Sequence, residues 1–123
     1  MKEQARQPED LAKLFIDRAN KGDVEGVVSL YEANAVIALP PGQTTLGREN
    51  IRRIYEHLLA DRPRFEGKVQ SALIHGDWAL TSTQFSGGAT AEVAHRQSDG
   101  NWLWVIDQPN IFGQNFKRRK ITK

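Results

Sequence analysis

Apolar residues recur at helical spacing through the first part of the chain. Leu11, Leu14, Phe15 and Ala19 form one stripe over residues 8 to 21, with Pro8 suited to a first turn, Glu9 and Asp10 near its positive end and Gly22 as a stop. Asp23 then caps a second, shorter helix that the pattern carries to about Tyr31, with Val24, Val27, Val28 and Tyr31 inward. The stretch "AVIAL", residues 35 to 39, reads as a short strand, and Pro40 and Pro41 end it because neither can donate to a sheet ladder. Beyond Gly47 comes the strongest helical pattern, with Ile51, Ile54, Tyr55, Leu58 and Leu59 on one face and Arg52, Arg53, Glu56 and His57 on the other.

From Arg64 the period shortens. Segments near 64–75, 78–86, 89–97 and 102–109 are separated by "HGDW", "SGGA" and "SDGN", each with a pair of residues that tight hairpins favour. Four antiparallel strands in a meander are predicted. Helices first and a sheet second define an α+β domain whose helices cover one face of the sheet.

The chain has 123 residues, 39% of them hydrophobic, enough for one core and a modest pocket. Residues 1–7 are expected to be a flexible lead-in, 8–112 a single domain and 113–123 a basic tail. The formal charge of +2 misleads, because Lys117, Arg118, Arg119, Lys120 and Lys123 have no acid among them and the rest of the chain is mildly acidic. A nucleic-acid footprint needs a basic face with stacking aromatics, so a nucleic-acid partner is not expected. No cysteine is present, which removes disulfides, thiolate ligands and thiol nucleophiles. Neither a signal-like leader nor a membrane-length apolar run occurs, and a cytoplasmic location is the expectation. His57, His75 and His95 lack paired ligand spacing, so no metal is expected, and without a P-loop or dinucleotide fingerprint no other cofactor is expected.

The segments "KGDVEGVVSLYEANAVIALPPG", "GRENIRRIYEHL", "GDWAL" and "AEVAHRQSDGNWLWVIDQPN" together resemble the nuclear transport factor two-like superfamily, which includes the SnoaL-like cyclases and the ketosteroid isomerases. The resemblance spans about residues 9 to 110 and is most similar to small stand-alone bacterial members of unknown function. It implies a cone-shaped, curved antiparallel sheet, made of the four-strand meander plus the short first strand, wrapped around three N-terminal helices. It also implies an open-ended cavity and a homodimer. The isomerase branch would carry a general base at the end of the first strand, a tyrosine on the first helix and a protonated aspartate on the third meander strand. Those positions hold Leu39, Phe15 and Glu92 here. Leu39 abstracts no proton and Phe15 donates no hydrogen bond, so isomerase chemistry of that kind is not expected.

Alternation from an inward Glu92 brings Ala94 and Arg96 to the same face. Matching the other strands adds Leu80, Ser82 and Gln84, and then Leu103, Val105 and Asp107. With Phe15, Tyr31, Leu39 and Tyr55 from the helical half, these predict an apolar pocket with a polar group in which Arg96 meets a ligand carboxylate or phenolate. The alternative is a closed set of mutual ion pairs. Trp102 and Trp104 are expected on the outer face, at a subunit interface or under the C-terminal segment. Three functions stay open: binding of a small hydrophobic or amphipathic molecule, an isomerase, cyclase or dehydratase using Glu92 or Asp107 as acid or base, and an interaction module.

Overall fold

The computed structural model describes residues 2–111, so the expected basic tail lies outside the described residues. Helix α1 spans Pro8–Asn20. Its entry is fixed by the Asp10 carboxylate, which accepts from the backbone N–H groups of Arg6 and Gln7 at 3.0 and 3.1 Å. Leu11, Leu14 and Ala19 are buried as the spacing requires. The Asp23 side chain accepts from the Gly26 N–H at 3.0 Å and opens α2, Val24–Val28.

Here the chain departs from the predicted pattern. Helix α2 stops at Val28, and Tyr31 begins strand β1, Tyr31–Ile37. An apolar spacing that suits another helical turn is overridden by pairing with the last strand, where the Trp104 N–H donates to the Leu30 carbonyl at 2.8 Å. Strand β2 (Thr45–Leu46) folds back on β1, and Gly47, at φ +91°, leads into α3, Arg48–Ala60. Ile51, Tyr55 and Leu59 of α3 are buried.

Seven strands follow: β3 (Lys68–Val69), β4 (Leu73–His75), β5 (Trp78–Thr81), β6 (Thr83–Phe85), β7 (Gly88–Ala89), β8 (Ala91–Arg96) and β9 (Trp102–Gln108). The larger sheet runs β2-β1-β9-β8-β5-β4 and the smaller β3-β6-β7. The first three predicted strands are therefore each broken once, near residues 70–72, at Ser82 and at Thr90. Thr81 pairs with Glu92 and Gln84 with Ala89, so one register runs through the break. The Ser82 hydroxyl donates to the Thr90 carbonyl at 2.7 Å, and the Thr83 N–H donates to the Thr90 hydroxyl at 2.8 Å. These contacts hold the bend that curls the sheet over α1 and α3. The sheet is mixed rather than purely antiparallel, because β1 runs parallel to β9, and it is not closed.

Strand β9 contains one irregularity that governs what faces inward. Ala94 pairs with Trp104, whereas Val93 pairs with Ile106, leaving Val105 as an extra residue in a β-bulge. Trp102, Trp104 and Asp107 consequently share the inner face, and all three are buried. The outer placement expected of both indoles is therefore corrected. The lead-in segment lies against the body: the Trp102 N–H donates to the Ala5 carbonyl at 2.9 Å, Ala5 is buried, and the Arg18 guanidinium bonds the Glu3 carbonyl. Among the described residues no helix is long and apolar enough to cross a membrane, and no cluster of His, Cys, Asp or Glu could hold a metal ion.

Candidate functional site

Between the inner face of the sheet and the helices lies a cavity of about 380 Å³. Its walls are aromatic and apolar: Phe15 from α1, Tyr55 from α3, Phe65 from the following segment, Trp104 from β9 and Leu39 beyond β1. Phe15 stands edge-on to Phe65 and Tyr55, with ring centroids 5.3 and 5.9 Å apart. The polar lining comes from the sheet, as Thr83, Thr90, Glu92 and Asp107, while Arg64 and Glu66, both exposed, border the cavity.

Glu92 and Asp107 are direct cross-strand partners in a row that runs Thr81, Glu92, Asp107, Ile37 across β5, β8, β9 and β1. The two acids are only 4% and 6% exposed. Thr81 donates to Glu92 Oε1 at 2.6 Å and accepts from the Trp104 indole N–H at 3.1 Å. Tyr31, fully buried behind the cavity wall, donates its hydroxyl to Asp107 Oδ2. The Tyr31 and Tyr55 hydroxyls are 2.8 Å apart. Because the single Tyr31 proton is committed to Asp107, Tyr55 donates to Tyr31, and the three groups form one chain. Asp107 Oδ1 meets no hydrogen-bond donor among the described residues.

Burial dominates the electrostatics of both acids. It raises the Asp107 carboxyl to about 7, helped by the neighbouring Glu92 charge and opposed by the Tyr31 hydrogen bond. Burial also raises Glu92, against the hydrogen bonds from Thr81 and Thr90. Tyr31 and Tyr55 are pushed up by burial and by the Asp107 charge, so both phenols stay protonated. Among the described residues, no Lys, Arg or His pairs with either acid.

Of the residues expected in a pocket, Phe15, Leu39, Tyr55, Glu92 and Asp107 line the cavity, and Tyr31 supports it through Asp107. The others lie elsewhere. Leu80 and Gln84 are exposed, and Ser82 spends its hydroxyl on the bend. Leu103 alternates with the buried Trp102 and Trp104, and Val105 is the bulge residue. Arg96 sits at the far end of β8, over the Trp102 ring at 5.9 Å and paired with Asp77 at 2.6 Å. The closed ion-pair arrangement is therefore not formed.

One sequence signal does set the register. Phe85 pairs with Gly88 across a two-residue turn, Ser86 and Gly87, with Gly87 at φ +85°. Counting back from that turn brings Thr81, not Leu80 or Ser82, opposite Glu92. The same count finds Thr83 and Thr90, which the expected pocket lacks, as it lacks Trp104 and Phe65.

The opposite face of the sheet carries a second row, one residue along on each strand. Leu46, Val36, Ile106, Val93, Leu80 and Leu73 are successive cross-strand partners over all six strands. Four of them are 65%, 48%, 53% and 70% exposed, namely Leu46, Ile106, Leu80 and Leu73. Beside this row Trp78 stacks on His95 with centroids 4.1 Å apart, and His95 Nδ1 lies 2.8 Å from Glu32.

A helix-filled curved sheet with an internal pocket is the architecture of the nuclear transport factor two-like proteins. The SnoaL-like domain family matches residues 12–111, and the chain belongs to it. No curated protein matches the chain by sequence. Among solved structures, a proposed dehydratase of the NTF2-like family from Streptomyces avermitilis is 16% identical, with 89% of this chain and 96% of that one covered at a TM-score of 0.70. A domain of unknown function with a cystatin-like fold from Nostoc punctiforme is 18% identical over 90% and 78% of the two chains, with a TM-score of 0.71. A ketosteroid isomerase-like protein from Erwinia carotovora atroseptica is 17% identical over 84% and 92%, with a TM-score of 0.64. At these identities the likeness concerns the fold.

Proposed function

We propose that the chain binds a small hydrophobic or amphipathic molecule in the helix–sheet cavity. One observation carries this reading: the space of about 380 Å³ has apolar walls and a few polar groups from neighbouring strands. That is the composition of small-molecule sites, which run from roughly 300 to 1,000 Å³. A thermal-shift screen of amphipathic molecules should yield stabilising compounds, and Leu39→Trp, which narrows the cavity, should weaken them. A screen without hits, or hits indifferent to Leu39→Trp, would remove the cavity as the site.

The hydrogen-bonded chain from Tyr55 through Tyr31 to Asp107 favours a second reading, in which the acids transfer protons to and from the bound molecule in an isomerisation, cyclisation or dehydration. Asp107, raised to about 7, can serve as acid or base near neutrality. The resemblance to a proposed dehydratase and a ketosteroid isomerase-like protein supports this at the level of the fold. Asp107→Asn and Glu92→Gln should abolish turnover while a neutral amphipathic ligand still binds; turnover that survives both would end this reading.

The outer apolar row supports a homodimer in which a second copy covers it. Sedimentation of the wild-type chain as a monomer at micromolar concentration would exclude that assembly.

A further inference from the structure

The polarity of the cavity constrains its occupant, provided that the cavity is the binding site. Two carboxyl groups lie side by side in an apolar enclosure, and no cation of this chain neutralises them among the described residues. Arg96, the one basic group the strand pattern sends toward them, is half exposed and occupied by Asp77. Buried carboxylates persist only when a proton, a cation or several donors compensate them. Glu92 has its Thr81 donor and Asp107 its Tyr31 donor, but Asp107 Oδ1 is unpartnered among the described residues on a side chain more than nine-tenths buried. The rings of Phe15, Phe65 and Trp104 line the same space, and aromatic faces attract cations.

We infer that the molecule this cavity selects carries a positively charged nitrogen, a protonated amine on an apolar or aromatic frame, with the ammonium between Glu92 and Asp107 and the frame against Phe15, Phe65 and Trp104. A carboxylate or phenolate of the same shape is repelled by both acids. A neutral molecule leaves a proton as their compensation. The exposed Arg64 and Glu66 at the border carry opposite charges and leave the sign of the interior unchanged.

Proton and ammonium compete for the same oxygens, which gives a pH signature. The titratable and charged groups lining or backing the site are Tyr31 from β1, Tyr55 from α3, Arg64 and Glu66 after α3, Glu92 from β8 and Asp107 from β9. Tyr31 and Tyr55, both pushed up by burial, keep their protons near neutrality. Affinity for an amine should therefore rise with pH through about 7, as Asp107 loses its proton.

The test is calorimetric titration of naphthylethylamine, naphthylethanol and naphthylacetate, which share one frame and differ in charge. The amine should bind at least about tenfold tighter than the alcohol, with naphthylacetate weakest. Asp107→Asn and Glu92→Gln, each checked for folding by circular dichroism, should erase that preference, and the wild-type pH profile carries the test should either variant fail to fold. An alcohol or acid that binds as tightly as the amine overturns the inference while leaving the cavity as a binding site. The inference is overturned in the same way if none of the three binds but the amphipathic library gives hits that Leu39→Trp weakens. A library with no hits removes both readings together.

Discussion

Two rows of side chains cross the same strands one residue apart, and their polarities are the reverse of what burial leads one to expect. The inner row is buried throughout and polar at Thr81, Glu92 and Asp107, giving way to apolar only at Ile37. The outer row, from Leu46 to Leu73, is apolar and largely exposed. In a sheet that serves only to fold, the pleat sorts apolar residues inward and polar ones to water. Here each face departs from that sorting at one level of the cone. Each departure opposes the hydrophobic effect or the cost of desolvating charge, so each requires something outside the fold to offset it. On the readings proposed above, a ligand or a proton does so for the inner row and a second copy of the chain for the outer row.

The largest break in this contrast should come from Asp107→Asn. An acid raised from its ordinary 3.8 to about 7 binds its proton more tightly when folded, so the wild-type chain loses stability as pH rises from about 4 to about 7 and is level beyond. At ~1.4 kcal/mol for each tenfold change in proton affinity, the loss is on the order of a few kcal/mol. Urea denaturation across that pH range should show the decline in the wild type and a flatter profile in Asp107→Asn; equal slopes would mean that Asp107 is not the buried acid described. Next in size, Tyr31→Phe removes the only donor to Asp107 and the acceptor of Tyr55 among the described residues. It should cost about 1–3 kcal/mol in the same measurement, and a change within error would argue that the chain of hydroxyls is not formed.

Leu80→Glu probes the outer row. It should convert a dimer to monomer in analytical ultracentrifugation while altering monomer stability by no more than about 0.5 kcal/mol, as expected of an exposed position. A large loss of stability would show that Leu80 is packed within its own chain. The smallest effect belongs to Gln84→Ala, where an exposed outer-face side chain is shortened. Ligand binding should be unchanged within about twofold, an effect no larger than an ordinary surface substitution; lost binding would reverse the assignment of faces.

The inverted rows also explain which parts of the molecule are legible in the residues alone. Both long helices, the hairpin turns and the α+β class follow from period and turn chemistry, since Leu11, Ile51 and Gly87 each sit where local rules demand. Matching to the family's strands sends Leu80, Ser82, Gln84, Leu103 and Val105 inward, and the register set by the Ser86–Gly87 turn and by the bulge at Val105 places them elsewhere. Tyr31 suits either a helix or a strand until its partner Trp104, far along the chain, is known. Glu92 and Asp107 follow from alternation and resemblance, whereas Arg96 is misplaced because alternation gives a face but not a depth within the cone. No local pattern marks Val105, since a bulge is defined by the partner strand.

The extra residue at Val105 gives β9 two phases, one for Trp102 and Trp104 and another for Ile106 and Asp107. A relative aligned without a gap on the two tryptophans, but lacking the bulge, would present its equivalent of Ile106 to the cavity and look as though it had lost its acid. The carboxyl position in such chains should therefore be counted back from the strand's C-terminal end, where Ala91 meets Gln108, rather than forward from the tryptophans. Equally, a single-residue deletion at Val105 would restore plain alternation and leave Trp104 and Asp107 inward, whereas a strand that kept Val105 but lost the bulge would turn the acid outward and bring isoleucine into the cavity, altering two surfaces without replacing a side chain on either.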